Sequence, residues 1–380
     1  MYNQRNEKER LQELIDKKET DYASSIYLNP VKEYIDPKRD LKEKDILFYN
    51  SPICIGTASK IPNKGDWFTV QLLDKPILVV RKNSNDIAAY LNICSHRGAK
   101  IAEDNGKKAY SFKCPYHSWV YNLEGKLIGR PREKAFNKIA KDKCNLKQFK
   151  IHNHKGFLWL TLNSKSEQKY KKNLKDLKLL LKNHNLSNYY HYKSTKMYRK
   201  LNWKLAVDTF LEIYHIDSLH NRSLASIIMS DLAIFDSFGS HIRIIGVRPS
   251  VLESNNSLKN DQEFNSHTLQ LYILFPNTIL VGHAEHVEIW RILPGQKENE
   301  CEISLSLLSK EEIKTDSAKS HWENNFCLAL DVVQDEDFPL GENVQKGFYA
   351  DPKRKIIFGK NEPGLQHFHK QIKLALKAKI

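Results

Sequence analysis

At 380 residues the chain has length for about two domains, and with 41% hydrophobic residues but no apolar run near the roughly 20 that span a bilayer, it reads as soluble and globular rather than membrane-embedded. The formal charge of +15 comes mostly from lysines that read as the wet face of an amphipathic helix or as general lysine bias, which argues against nucleic acid and leaves only steering of an acidic protein partner. The polar N-terminus lacks the apolar core of a secretory signal, and six cysteines without a disulfide-like pattern fit a reducing compartment, so the expected location is the cytoplasm.

In chain order, residues 1–44 read as an N-terminal arm: a charged helix from Glu7 to Lys18, then an extended stretch carrying Pro30 and Pro37. Residues 45–165 change to short β-rich runs such as W-F-T-V-Q-L-L, P-I-L-V-V-R and G-F-L-W-L-T-L, with a hairpin turn at 122–125, and predict a small all-β domain. Two of its loops carry C-S-H-R-G, with Cys94 and His96, and C-P-Y-H, with Cys114 and His117. Each loop offers one thiolate and one imidazole. Two cysteines on one iron and two histidines on the other make a Rieske [2Fe-2S] centre; the competing zinc site favours close Cys-Cys and His-His pairs over this interleaving. Pro115, Tyr116 and Trp119 are expected to pack around the cluster.

Residues 166–380 predict an α+β domain. A lysine-rich amphipathic helix at 169–182 and a helical block at about 202–220 precede strand-like runs, H-I-R-I-I-G-V through C-E-I-S-L-S-L-L, followed by helices near Thr315 and the C-terminus. The antiparallel sheet would be covered by helices, leaving a pocket. Within the helical block, Glu212 and His215 share a helix face, whereas His220 lies about 140° further round. Both histidines reach one metal only if the helix bends or ends between them. Asp208, one turn before Glu212, faces either that cavity or a polar surface. Tyr214, Tyr272 and Trp290 are candidates for an aromatic cage or for core. His283 and His286, amid strand-like sequence, are expected on opposite faces as pocket-wall or surface residues, and His367 and His369 as structural.

The order C-x-H-R-G, C-x2-H, then N-W-K and E-x-Y-H-x4-H resembles the Rieske non-haem iron oxygenases, the terminal oxygenase or α subunits of ring-hydroxylating dioxygenases and their carnitine- and choline-type monooxygenase relatives. The likeness runs from about residue 45 to the C-terminus, through Q-D-E-D-F-P-L-G-E-N-V-Q-K-G and F-G-K-N-E-P-G-L-Q-H-F-H. It implies a Rieske domain at 45–165 and a helix-grip (START-like) catalytic domain at 166–380. By the same resemblance, Cys94, His96, Cys114 and His117 bind the cluster, and His215, His220 and Asp337 bind a mononuclear Fe(II). Glu336 is the substitute for Asp337, with Asp331 and Asp335 also nearby. Glu212 falls where the family carries a carboxylate bridging a cluster histidine, here His117 of one subunit, to an iron histidine, here His215 of its neighbour. Many ring hydroxylators have aspartate there; glutamate is reminiscent of the quaternary-amine oxygenases.

The implied activity is hydroxylation with O2 and a pair of electrons, either on an aromatic ring or beside the nitrogen of a quaternary amine with loss of an aldehyde. The alternative is a Rieske electron carrier without oxygenase activity. The respiratory type of carrier adds a disulfide pair, whose equivalent places here hold Ala99 and Tyr116. No G-x-G-x-x-G nucleotide fingerprint and no second cysteine set are present, so a separate NAD(P)H-dependent reductase, with or without a ferredoxin, is expected to supply electrons. The resemblance also implies a homotrimer or a mixed α/β oligomer.

Overall fold

Each of the β-rich runs pairs antiparallel with its neighbours, and the pairing sorts the chain into two units. The computed structural model describes residues 6–253, 258 and 260–378. One unit comprises residues 48–172 with 183–189; the other takes in the residues up to Leu47, 173–182 and everything from Tyr190 onward.

The smaller unit is all β apart from short helical turns and the start of the lysine-rich helix, Ser164–Leu180. Its main sheet runs in the order Ile53–Thr57, Phe157–Thr161, Gln148–His154, Ile87–Leu91, Lys75–Arg81, Trp67–Leu72 and Asn105–Gly106. A second sheet of three short strands, Ser111–Lys113, Val120–Asn122 and Leu127–Gly129, carries one of the Cys-His loops at its first turn. Its second turn is the expected hairpin. Gly125 takes φ +73° there, and Asn122 O accepts the Gly125 N–H at 3.0 Å.

The larger unit is built on a seven-stranded antiparallel sheet, in the order Tyr190–Arg199, Cys301–Ser309, His286–Pro294, Thr278–Gly282, Thr268–Leu274, His241–Val247 and Ala233–Phe238. Central strands such as His286–Pro294 are buried along their whole length, as expected where both faces are covered. Helices Asp316–Asp331, Phe338–Ala350 and Pro363–Lys377 follow, so the expected α+β architecture with helices over an antiparallel sheet is observed. Gly364 lets the last helix approach closely: a Cβ there would collide with the carbonyl oxygen of Leu211, next to Glu212.

The N-terminal segment is integral to this larger unit. Helix Glu7–Lys17 buries Leu11 and Ile15 among Ile234, Ile245 and Val247, and Arg10 pairs with Asp21 and Asp236, each at 2.8 Å. The stretch expected to be extended is so only at Tyr27–Pro30, which pairs with Lys355–Phe358. Beyond it lie two helices. Pro37 opens the second, where its missing N–H costs nothing, and the Asp36 side chain accepts from Lys38 N to cap it.

Candidate metal centres

In the smaller unit the two Cys-His loops have closely similar backbones. Cys94 N–H donates to Ala99 O and Cys114 N–H to Trp119 O, both at 2.8 Å. Each loop turns through one left-handed residue, Gly98 at φ +79° and Ser118 at φ +59°. The rings of His96 and His117 meet edge to face at 4.5 Å, and both cysteines are buried as free thiols. His96 Nδ1 is buried with no hydrogen-bond partner among the described residues. An orphaned imidazole nitrogen beside two buried thiols fits a group that would accept all four ligands. Trp119 is buried and stacks on His96 at 4.9 Å, as expected of a screen. Tyr116 flanks His117 at 3.8 Å but stays 59% exposed, and Pro115 is exposed, so that side of the pair opens outward.

In the larger unit the helical block is broken before His215, and the segment between His215 and His220 is itself one short helical turn that begins at the first histidine and ends at the second. Helix Trp203–Asp208 stops before Glu212, and a single turn, Ile216–Leu219, runs between the two histidines, which cap its two ends. The third group arrives from far along the chain. Helix Asp316–Asp331 passes into a wide π-turn, Val332–Asp337, before Phe338–Ala350 begins with Pro339 in its first turn. The Asp337 carboxylate then lies 3.6 Å from His215 Nε2 and 3.3 Å from His220 Nε2. All three groups offer a ligand atom within 4.8 Å of the others.

The opposite nitrogen of each histidine is held by a carboxylate. Glu336 accepts from His220 Nδ1 at 2.5 Å and from Ser223 Oγ at 2.9 Å. Glu212 bonds His215 Nδ1 and also accepts from the backbone N–H groups of Tyr214 and His215. Glu336 therefore does not sit beside Asp337 as an equivalent: it orients a histidine from behind. Burial of His220 disfavours its charged form, yet Asp337 and Glu336 outweigh this and raise its pKa. A site that favours positive charge at that nitrogen, with two imidazoles and one carboxylate on one side, suits a divalent ion of the iron type with open positions.

Asp208 does not point at this convergence. It is buried, and its carboxylate bonds Tyr34 Oη at 2.7 Å and His369 Nε2 at 2.9 Å. Tyr34 comes from the N-terminal segment, and burial together with Asp208 raises its pKa well above the usual phenol value. The N-W-K motif anchors that segment. Asn202 Nδ2 donates to Tyr34 O at 3.1 Å, while the buried Lys204 ammonium pairs with the fully buried Glu43 carboxylate. His369 is thus structural, as expected, but structural within the site's own polar network. No local signal in the sequence marked Tyr34 or Glu43.

Two cavities meet the His215–His220–Asp337 group. One, of about 590 Å³, is shared by Tyr34, Asp208, Glu212, His215 and Asp337; the other, of about 260 Å³, also reaches His220, Phe210 and Trp290. Of the aromatic candidates, only Trp290 lines the smaller cavity, tilted against Phe210 at 5.6 Å. Tyr272 is buried and bonded to Gln270, and Tyr214 is 60% exposed. The expectation for His283 and His286 fails in one respect. They do not point to opposite faces, because a turn separates strand Thr278–Gly282 from His286–Pro294 and the alternation rule does not carry across it. The two rings stack at 4.1 Å on the wall of the smaller cavity.

Residues 186–378 match the family model for the ring hydroxylating alpha subunit (catalytic domain), and residues 51–150 match that for the Rieske [2Fe-2S] domain. The chain is 26% identical over 353 residues to the carnitine monooxygenase oxygenase subunit of Escherichia coli (strain K12), covering 90% of this chain and 91% of that protein. It is 33% identical over 127 residues to the biphenyl 2,3-dioxygenase subunit alpha of Rhodococcus jostii (strain RHA1), covering 33% of this chain and 28% of that one. In fold it is similar to a quaternary ammonium Rieske monooxygenase solved with an inhibitor, with a TM-score of 0.78 and 19% identity over 92% of this chain and 95% of that one. Among the described residues no helix is long and apolar enough to cross a membrane.

Proposed function

We infer that this chain, which belongs to the ring-hydroxylating alpha-subunit family and is therefore the terminal oxygenase of a Rieske system, oxidises a carbon bonded to nitrogen in a small quaternary amine. The observation that carries the choice of substrate is the extent of sequence likeness, which runs through 90% of the chain for a carnitine monooxygenase and 33% of it for a biphenyl dioxygenase. Hydroxylation at such a carbon puts one oxygen atom of O2 into the substrate and reduces the other to water with two electrons and two protons. The hydroxylated carbon then releases nitrogen and leaves as an aldehyde.

The geometry, together with the family resemblance, supports the following roles. Cys94, His96, Cys114 and His117 in domain 45–165 would hold the [2Fe-2S] cluster, and His215, His220 and Asp337 in domain 166–380 the ferrous iron. When bound, the two centres supply electron storage and O2 activation that side chains lack. Glu212 and Glu336 fix the ring planes of the two iron histidines, and Glu212 is the acceptor through which a neighbouring subunit's His117 would be coupled to His215. Asp208, buttressed by Tyr34 and His369 and lining the larger cavity, would take or return a proton there. The smaller cavity seats the substrate against Trp290 and Phe210 and keeps bulk water from the reacting carbon.

The family works with separate electron-donor proteins and as multimers, and for this chain we assign an NAD(P)H-dependent reductase as the donor and a homotrimer as the assembly. Turnover assayed with such a reductase, O2 and either γ-butyrobetaine or naphthalene tests the reading. An aldehyde and a tertiary amine from γ-butyrobetaine support it; a diol from naphthalene with no amine cleavage overturns it.

A further inference from the structure

The smaller cavity carries a polar wall that none of the roles above uses. Besides the iron-binding group and Glu212, its ionisable lining is Arg248, His283, His286 and Glu288. Arg248 follows directly on strand His241–Val247. Its Nε donates to Thr268 O at 3.1 Å, and its Nη2 meets His283 Nδ1 at 3.2 Å.

These contacts determine where the proton of His283 sits. A guanidinium has only donors, so His283 Nδ1 must accept, and the ring proton lies on Nε2, 3.1 Å from Glu288 Oε1. Trp290 Nε1 donates to the other Glu288 oxygen at 2.9 Å. Burial would raise the pKa of Glu288, but the bond from His283 and the His286 ring nitrogen 3.9 Å away outweigh it and hold the carboxylate ionised. Glu288 is thus engaged on both oxygens and screened from Arg248 by a neutral ring.

Arg248 is left differently. Two of its five N–H groups are engaged, both by neutral acceptors, and among the described residues no carboxylate forms an ion pair with it. Burial lowers its pKa with no opposing charge. A planar cation with spare N–H donors on the wall of a mainly apolar cavity matches the fork of a carboxylate.

We propose that Arg248 binds the carboxylate of the substrate, so that the cavity selects compounds bearing an anionic carboxylate over neutral or purely cationic ones. The proposal rests on the reading of this cavity as the substrate site. Combined with the amine reading above, it makes the substrate an ammonium carboxylate. His283, His286 and Glu288 also bring three ligand atoms within 4.8 Å, but this does not make them a second metal site. The imidazole planes lie face to face, 8° from parallel, so their lone pairs run side by side instead of converging, and His283 Nε2 already carries a proton. The three residues instead hold Arg248 in place through His283.

Calorimetric titration of the iron-loaded protein under anaerobic conditions provides the test, with γ-butyrobetaine against its carboxamide and benzoate against benzamide. The wild type should bind each acid about ten- to hundredfold tighter than its amide, the range of a charged hydrogen-bond pair. Arg248→Gln should lose that preference and Arg248→Lys keep part of it, with the visible spectrum of the cluster unchanged in both. Equal affinity for acid and amide overturns the proposal, as does a preference that survives Arg248→Gln or one that appears only with added zinc. The two readings fail separately. Discrimination between benzoate and benzamide without any binding of γ-butyrobetaine keeps the Arg248 site and sinks the amine; binding of γ-butyrobetaine and its amide alike does the reverse.

Discussion

Glu336 Oε2 lies 2.5 Å from His220 Nδ1, on the side of the ring away from Asp337, whose Oδ1 is 3.3 Å from Nε2 of the same ring. Two consecutive acidic residues thus grip one imidazole from both sides. Both residues close the π-turn Val332–Asp337, which joins helix Asp316–Asp331 to helix Phe338–Ala350. If Glu336 orients rather than ligates, Glu336→Gln should weaken ferrous binding by about ten- to hundredfold without abolishing it, as loss of an outer hydrogen bond does. Asp337→Asn should be far more damaging. Competition against a chelator of known affinity measures both, and equal losses would contradict the division of roles.

Glu212 makes the corresponding bond to His215 but has a second task in the proposed assembly. Glu212→Gln should retain both metals and the cluster spectrum while slowing reoxidation of the reduced cluster by O2 and substrate by roughly a hundredfold, the upper range for such partners. Stopped-flow absorbance follows that step. An unchanged rate would remove Glu212 from the electron path.

Glu43 and Lys204 form an ion pair almost wholly removed from water, joining the N-terminal segment to the helix that leads into the site. Glu43→Gln leaves the ammonium buried without its counter-charge and should cost about 3 kcal/mol. Combining it with Lys204→Met should recover most of the loss. Thermal unfolding of the single and double variants checks this, and a single variant as stable as the wild type would show that the pair bears little on the fold.

What the sequence carries about the fold and the sites depends on distance along the chain. The Cys-His loops and Glu212, His215 and His220 are local patterns, in which ligand type and spacing appear together. Asp337 entered by resemblance alone, since nothing near it distinguishes it from Glu336, Asp335 or Asp331, and a π-turn cannot be read from helical periodicity. Tyr34 was invisible because its partner Asp208 is 174 residues away. Strand Tyr190–Arg199 gives no clear sequence signal because it is an edge strand, rich in polar residues and nowhere fully buried, so it lacks the alternation of its neighbours. His283 and His286 show the opposite error, in which alternation was extended across a turn.

Acid stability should carry a signature of His241. Burial, with His367 adding to it, pushes its pKa down to about 4, and its Nδ1 accepts from Phe275 N at 3.0 Å. In the unfolded chain the same imidazole titrates near 6.5. Between these values the unfolded state takes up a proton that the folded state refuses, so stability is full above about pH 6.5 and falls as the pH drops toward 4, by about 3 kcal/mol in all. His241→Asn keeps an acceptor for Phe275 but does not titrate. Its melting temperature should therefore fall less than that of the wild type between about pH 7 and pH 5; parallel curves would assign the acid sensitivity elsewhere.

One chain is proposed to hold two separate iron centres on the residues named. Iron and acid-labile sulfide per chain, determined together with the paramagnetic resonance spectrum of the reduced protein, test it most directly when wild type and His215→Ala are compared. The wild type should hold about three irons and about two sulfides, and the variant should lose about one iron with sulfide and the cluster signal unchanged. A wild type holding only the cluster irons after ferrous loading, or a variant that retains all its iron, would contradict it.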